Sequence, residues 1–309
     1  MDNYGFYTGK SFDAYEFFGC HTDENGAVFR VFAPAAVRIS VIGEFNGWQD
    51  TPMNKIGDGN FWAVYIEGVK PGQMYKYKIY KPDGSCMDHC DPYGYGMELR
   101  PASASIVRNL YGYEFQDDAW MKKRSNGVAS ALNIYEIHAG SWKKPQNGWY
   151  RYNELATQLV PYLKEYGYNY IELLPIGEHP CDESWGYQCS GFYSPTSRYG
   201  TLDDYKKMID ILHHNDIGVI MDFVPVHFAL DAYALAKFDG TALYEYPHKD
   251  VGNSEWGSCN FMHSRGEVRS FLQSCANYWL KEYHVDGLRM DAISNMIYWQ
   301  GNPARGVNK

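Results

Sequence analysis

Long apolar runs are missing from this chain. Nowhere do about eighteen apolar residues follow one another, so the sequence predicts no membrane-spanning helix. A positive excess is missing as well: 28 Lys and Arg stand against 37 Asp and Glu, a net charge of −9, with no basic run of five or more. A nucleic-acid surface or an anionic-membrane anchor needs such a patch, so neither partner is expected. The N-terminus, MDNYGFYTGKSFDAYEF, has no basic start leading into an apolar stretch, so nothing marks it for secretion. The expected location is the cytoplasm. Seven scattered cysteines do not form a disulfide framework. Cys86, His89 and Cys90 in CMDHC lack the second Cys/His pair that a zinc site requires. Free thiols are the expectation there, with no metal and no cofactor.

What is plentiful is aromatic: 17% of the residues, including 28 Tyr and 9 Trp. Such rings fill cores, and their flat faces with a polar handle also suit pyranose rings. Composition permits a carbohydrate partner without establishing one. At 309 residues, two domains are the default.

The first hundred residues read as β. AVFRVFA (27–33), VRISVIG (37–43), FWAVYIE (61–67) and QMYKYKIY (73–80) are short runs of Val, Ile, Tyr and Phe separated by FNGW, IGDGN, VKPG and KPDGS. An antiparallel sandwich is expected, with ASASIV (102–107) as a further extended piece. The polar stretch 116–132 reads as a linker. Beyond it, strands (133–140, 170–177, 217–226, 285–291) alternate with amphipathic helices (152–167, 201–216, 267–284), and 292–299 opens another helix. That alternation means parallel βαβ units. Thr201, followed by Asp203 and Asp204, is the expected N-cap of the second helix. Four βα units leave two possibilities open, an open sheet or the first half of a barrel. The closing GNPARGVNK reads as an interruption.

Chemistry on a parallel α/β scaffold gathers at the carboxyl ends of the strands. Those ends carry Glu136 and His138, then a long excursion at 177–200, then Asp222 and His227, then Arg289 and Asp291. Residues i and i+2 of a strand share a face, so Arg289 and Asp291 would point the same way. An arginine there favours an ionised Asp291, as a glycosidic nucleophile requires. Each feature alone has a plain structural reading. Arg289–Asp291 would steady a strand end, Asp222 would cap a loop, His227 would be a satisfied loop histidine, and Trp185, Tyr187, Phe192 and Tyr193 would be loop packing. Their convergence on one rim favours a site.

YEIHAGSW (135–142), SWGYQCSGFYSPTSRYGT (184–201), DFVPVHF (222–228) and VDGLRMDA (285–292) resemble the 1,4-α-glucan branching enzymes of the α-amylase superfamily. APAAVRISVIGEFNGW (33–48) and GNFWAVYIEGVKPGQMYKYKI (59–79) resemble carbohydrate-binding module 48. The implied fold is multidomain, β plus α/β. An N-terminal β-sandwich with an N-terminal extension (1–115) and the linker (116–132) would precede the first half of a (β/α)₈ TIM barrel (133–309), about four βα units. The resemblance implies Asp291 as nucleophile, Arg289 holding it, Asp222 ordering the site, and His227, Tyr187 and Trp185 on the sugar. Trp48 and Trp62 are the glucan-binding candidates of the module. The implied partner is an α-glucan, and the implied reaction cuts an α-1,4 bond and forms an α-1,6 branch with retention. The family's acid/base glutamate lies on a later strand, so this chain is expected to be an N-terminal part, inactive and unstable alone. The alternatives are a non-catalytic α-glucan-binding protein and a glycogen debranching or other hydrolase of the superfamily.

Overall fold

The computed structural model describes residues 1–124 and 130–298; the expected interruption at 301–309 lies outside them. After helix α1 (Asn3–Thr8), strands β1 (Gly19–Thr22), β2 (Gly26–Phe32), β3 (Arg38–Gly43), β4 (Thr51–Pro52), β5 (Asn54–Ile56), β6 (Phe61–Glu67), β7 (Met74–Tyr80), β8 (Cys86–His89) and β9 (Ser105–Ile106) form two antiparallel sheets. Their orders are β1-β2-β6-β5 and β4-β3-β7-β8, with β9 added beside β7. Along β7, Tyr75, Tyr77 and Ile79 are buried between the sheets while Met74, Lys76, Lys78 and Tyr80 are less so, the period of two that fixes register. The expected sandwich and the pairing of 102–107 are both present.

The second part begins with α2 (Asp118–Lys123) and continues through β10 (Ile134–Ile137), α3 (Tyr152–Glu165), β11 (Tyr170–Leu173), β12 (Gly177–Glu178), β13 (Gly191–Pro195), α4 (Leu202–His214), β14 (Gly218–Phe223), β15 (His227–Phe228), α5 (Lys249–Gly252), β16 (Cys259–Asn260), α6 (Gly266–Glu282), β17 (Gly287–Met290) and α7 (Ile293–Ile297). The sheet β10-β11-β14-β17 is parallel throughout. This is the βα alternation of half a barrel. The first strand, whose apolar NIYEIHAG reads as a buried one, is exposed at Ile134, because β10 is an outer strand of the sheet, as is β17 with its exposed Met290.

The stretch read as a linker is tied down. Within it, α2 buries Trp120, whose indole N–H donates to Asp286 at 2.9 Å. His213 lies between Asp117 (2.7 Å) and Asp286 (3.0 Å), one carboxylate on each ring nitrogen. Burial opposes the charge of Asp286, but the bonds from His213 and Trp120 outweigh it and hold its carboxyl below the usual range. This clamp fixes the entry to the barrel at the end of the strands away from the site.

Sandwich and barrel share one continuous core. Tyr93 meets Tyr193 at 4.9 Å between ring centres, and Tyr95 stacks on Tyr278 at 5.5 Å. α1 lies on α6 so closely that a Cβ at Gly266 would come within 1.8 Å of the Tyr7 carbonyl oxygen. Much of the aromatic excess is therefore core and interdomain packing. The Thr201 cap forms as expected: its hydroxyl accepts from the Asp204 amide (3.3 Å), and the Asp204 carboxylate accepts from the Thr201 amide (2.8 Å). Thr201→Ala should cost about 1 kcal/mol, seen in a thermal melt as a fall of roughly 2–4 °C.

Candidate active site

β14 and β17 run side by side with Asp222 opposite Arg289, and the ladder continues one step as the Asp291 amide donates to the Phe223 carbonyl at 2.9 Å. Both strands therefore deliver their polar ends to one place. The Arg289 guanidinium donates to both Asp222 oxygens (3.1 and 2.9 Å) and to Asp291 Oδ1 (2.8 Å). The shared face read from the i, i+2 spacing is present. The Tyr187 hydroxyl, brought over by the excursion after β11, donates to Asp222 Oδ2 at 2.6 Å. His227 Nε2 stands 3.9 Å from Asp291 Oδ2. Ala292, immediately after Asp291, takes a left-handed backbone (φ 51°), which turns the chain sharply at the strand end.

Burial separates the two aspartates. Asp222 is 2% exposed, and burial pushes its carboxyl up to about 6 against the pull of Tyr187 and Arg289. Burial also opposes the charge on Arg289, but its bonds to Asp222 outweigh that and raise its pKa. Burial lowers the pKa of His227, favouring the neutral imidazole at pH 7, although Asp291 pulls the other way. The Asp291 side chain keeps 17% of its surface open. One carboxylate is thus locked in place and the other faces a cleft of about 630 Å³ lined by Tyr187, His227, Glu255, Trp256 and Asn295. An open, cation-held carboxylate beside a neutral imidazole can act as a nucleophile or stabilise a cationic sugar centre.

The structure brings together Tyr187, Asp222, His227, Arg289 and Asp291, all singled out from the sequence. Trp185 lies beside this cluster, stacked on His138 at 5.8 Å, and lines a neighbouring cleft. Phe192 and Tyr193 are core residues. Trp48 is exposed on the sandwich. The expectation for Trp62 is corrected: it is 4% exposed, its indole N–H donates to the Ala33 carbonyl (3.0 Å), and the Lys55 ammonium covers its ring at 5.1 Å. A ring so enclosed presents no face to a sugar. Trp256 and Glu255 are among the pocket residues not read from the sequence as part of the site. Trp256 lies 5.2 Å from the His227 ring, and Gln188 Nε2 donates to its carbonyl (3.1 Å). Its signal was an aromatic in a polar, Gly-containing loop, GNSEWGSC. Glu255, the residue before it, lines the same cleft.

Residues 17–94 match the family model of carbohydrate-binding module 48 (isoamylase N-terminal domain), and residues 155–250 match the alpha amylase catalytic domain. A curated Fusobacterium nucleatum protein named 1,4-alpha-glucan branching enzyme GlgB is 46% identical over 304 residues, covering 97% of this chain and 50% of that protein. A Bacillus subtilis protein of the same name is 44% identical over 317 residues, covering 99% of this chain and 51% of that protein. The chain thus spans about half the length of the curated relatives it matches. Among solved structures, a mutant pullulanase from Paenibacillus barengoltzii complexed with maltotetraose superposes with a TM-score of 0.75 at 21% identity, over 91% of this chain and 49% of that one. At that identity the likeness concerns the fold alone.

Proposed function

We propose, for a chain that belongs to the α-amylase superfamily and carries a carbohydrate-binding module 48, that it supplies the nucleophile and the sugar-holding groups of a 1,4-α-glucan branching enzyme. The observation that carries this reading is the Arg289 bridge. One guanidinium fixes buried Asp222 and open Asp291 together, while Tyr187 closes the far side of Asp222.

In this reading Asp291 attacks the anomeric carbon of a glucosyl unit in the cleft. The C–O bond of the α-1,4 link breaks, its oxygen takes a proton from an acid, and a glucosyl ester forms on Asp291. The 6-hydroxyl of an acceptor chain then displaces the ester with a second inversion and gives up its proton, leaving an α-1,6 branch. Two displacements retain the α configuration. Arg289 holds the nucleophile in place and Asp222 fixes Arg289, while neutral His227 and Tyr187 contact the sugar at the cleaved bond.

The acid is the missing partner. Among the described residues in the cluster, Asp222 is tied by Tyr187 and Arg289, and Glu255 sits on the loop beside Trp256. In this reading the proton donor opposite Asp291 is neither of them but the glutamate that the resemblance puts on a later strand, so the 309-residue chain alone should not turn over. A chimera in which this chain replaces the matching half of the Bacillus subtilis relative tests both statements. The chimera should reduce iodine staining of amylose and create α-1,6 links that isoamylase releases, while the chain alone leaves the stain unchanged. Shorter linear products without new α-1,6 links would instead favour the hydrolase reading. Activity of the chain alone, abolished by Glu255→Gln, would assign the acid to the loop.

A non-catalytic contribution from the module rests on Trp48. It is 41% exposed and is held in a left-handed conformation (φ 60°) at the FNGW turn, beside Asp50, which accepts from Lys78 (3.2 Å) and Tyr80 (2.6 Å). Trp48→Ala should weaken retardation of the chain in a glycogen-containing native gel. Unchanged migration of the variant would remove the module from glucan binding.

A further inference from the structure

We propose that the cleft between the β7–β8 hairpin of the sandwich and the barrel segment 230–259 binds a nucleoside phosphate, with the phosphate among Lys81, Lys237 and Lys249 and the nucleoside donating to Glu245. The proposal is independent of the glucan reading above. The cleft measures about 470 Å³, a volume typical of small-molecule sites. It shares no lining residue with the Asp291 pocket.

The charge balance points to an anion. The charged residues of the lining are Lys81, Lys237, Lys249 and Glu245. In a chain of net charge −9, three ammonium groups meet here without a counter-ion: among the described residues, none of them makes an ion pair or a side-chain hydrogen bond. Nearby acids are engaged with other groups. Asp83, in the turn beside Lys81, accepts from the Ser85 amide (2.9 Å) and hydroxyl (2.6 Å). Asp239, buried near Glu245, accepts from the Ala35 amide (2.9 Å) and from the Thr241 amide (3.0 Å) and hydroxyl (2.6 Å). The stem of Lys81 is held against Gly240, where a Cβ would meet it at 3.0 Å. Three like charges gathered at one cleft repel one another, and a doubly charged phosphate relieves that repulsion.

Glu245 supplies the second, independent observation. It is 6% exposed, and its Oε1 accepts from the Lys237 amide at 2.8 Å, which holds Lys237 in a left-handed turn (φ 47°). Its Oε2 is buried and has no hydrogen-bond partner. A buried carboxylate oxygen left unpaired is costly, and burial raises the Glu245 pKa. A ligand N–H or O–H supplies the absent bond. The rest of the wall is largely apolar, with Met87, Leu230, Tyr246 and Pro247, and suits a flat organic body. Simpler ligands satisfy only part of this. Inorganic phosphate leaves Glu245 and the apolar wall unused, a fatty-acid anion brings no donor, and a sugar phosphate offers little apolar surface. A nucleoside phosphate carries the charge, the donor and the flat body together.

The test is calorimetric titration of the 309-residue chain with AMP, GMP, CMP and UMP, set beside their nucleosides, ribose phosphate and inorganic phosphate. At least one nucleotide should bind saturably, roughly tenfold or more tighter than its nucleoside, ribose phosphate or inorganic phosphate. Lys81→Ala and Lys249→Ala should each weaken that nucleotide by roughly three- to tenfold and leave its nucleoside little changed. Glu245→Gln, whose amide oxygen can keep the Lys237 bond, should weaken nucleotide and nucleoside alike. Absence of saturable binding for all four nucleotides up to about 1 mM would overturn the proposal. So would inorganic phosphate binding as tightly as the best nucleotide, which would reduce the cleft to a bare anion site. Nucleotide binding left intact by both lysine variants would put the ligand elsewhere and overturn it equally.

Discussion

Arg198→Ala is expected to cost about 3–5 kcal/mol, a large part of the 5–15 kcal/mol that holds a typical fold. The reason is what it leaves behind. The Arg198 and Glu178 side chains are 2% and 4% exposed, and Glu178 also accepts from Thr196 (3.0 Å) and the Ser197 amide (2.7 Å). Deleting the guanidinium strands a buried carboxylate and frees the Asp182 loop, which Arg198 and Arg100 hold from two sides. The melting temperature should fall by on the order of 10 °C. The loss should also depend on pH in a definite direction. Burial already raises the Glu178 pKa with its partner present, and removing that partner raises it further. A raised carboxyl favours the protonated form, so its contribution is intact below the unfolded-state pKa and is lost as pH rises through the folded one. The variant should therefore compare worst with the parent at pH 8 and recover part of the difference toward pH 5. A second variant separates charge from packing: Glu178→Gln added to Arg198→Ala should restore stability, since no buried charge remains. If the double variant is no better than Arg198→Ala, lost packing is responsible and the buried ion pair is not the cause.

The parallel sheet and its polar rim were legible because both follow short-range rules. Strand ends carry the chemistry, and i, i+2 residues share a face, which placed Arg289 with Asp291 and located Asp222 and His227. The excursion 177–200 announced itself by length. Its interior did not. Glu178 and Arg198 meet across β12 and β13, an irregular pairing too short for any periodicity to reveal. Trp256 was hidden for the same reason: it reaches His227 through the two-residue pairing of β15 with β16, across a loop of some thirty residues. Trp62 misled because FWAVYIE is apolar on both faces of its alternation. Its face was decided by Lys55 and Ala33, which sequence spacing does not bring near. The polarity of 116–132 hid one tryptophan and one aspartate in contact with the barrel, Trp120 and Asp117, which changed its role.

Asp291→Asn, introduced into the chimera with the remaining half of the Bacillus subtilis relative, should lower branching by roughly four or more orders of magnitude. The amide has the same shape and can still accept the Arg289 bond, 2.8 Å in the parent, so the fold and the positions of Asp222 and Tyr187 should survive. It is a far weaker nucleophile and stabilises a developing positive charge poorly. The loss should therefore appear in kcat, with maltoheptaose binding kept within a few-fold. Asp222→Asn makes the informative contrast. Asp222 is buried and locked by Tyr187 and Arg289, so its removal should act through positioning and through the charge on Arg289. Its effect should be smaller and should carry a pH signature. Burial pushes Asp222 up to about 6, so an ionised Asp222 is lost as pH falls through that value, and the acid limb of the parent profile near there should flatten in the variant. If instead Asp222→Asn proves the more damaging of the two, and Asp291→Asn retains measurable formation of α-1,6 links, the nucleophile has been assigned to the wrong carboxylate of the Arg289 pair.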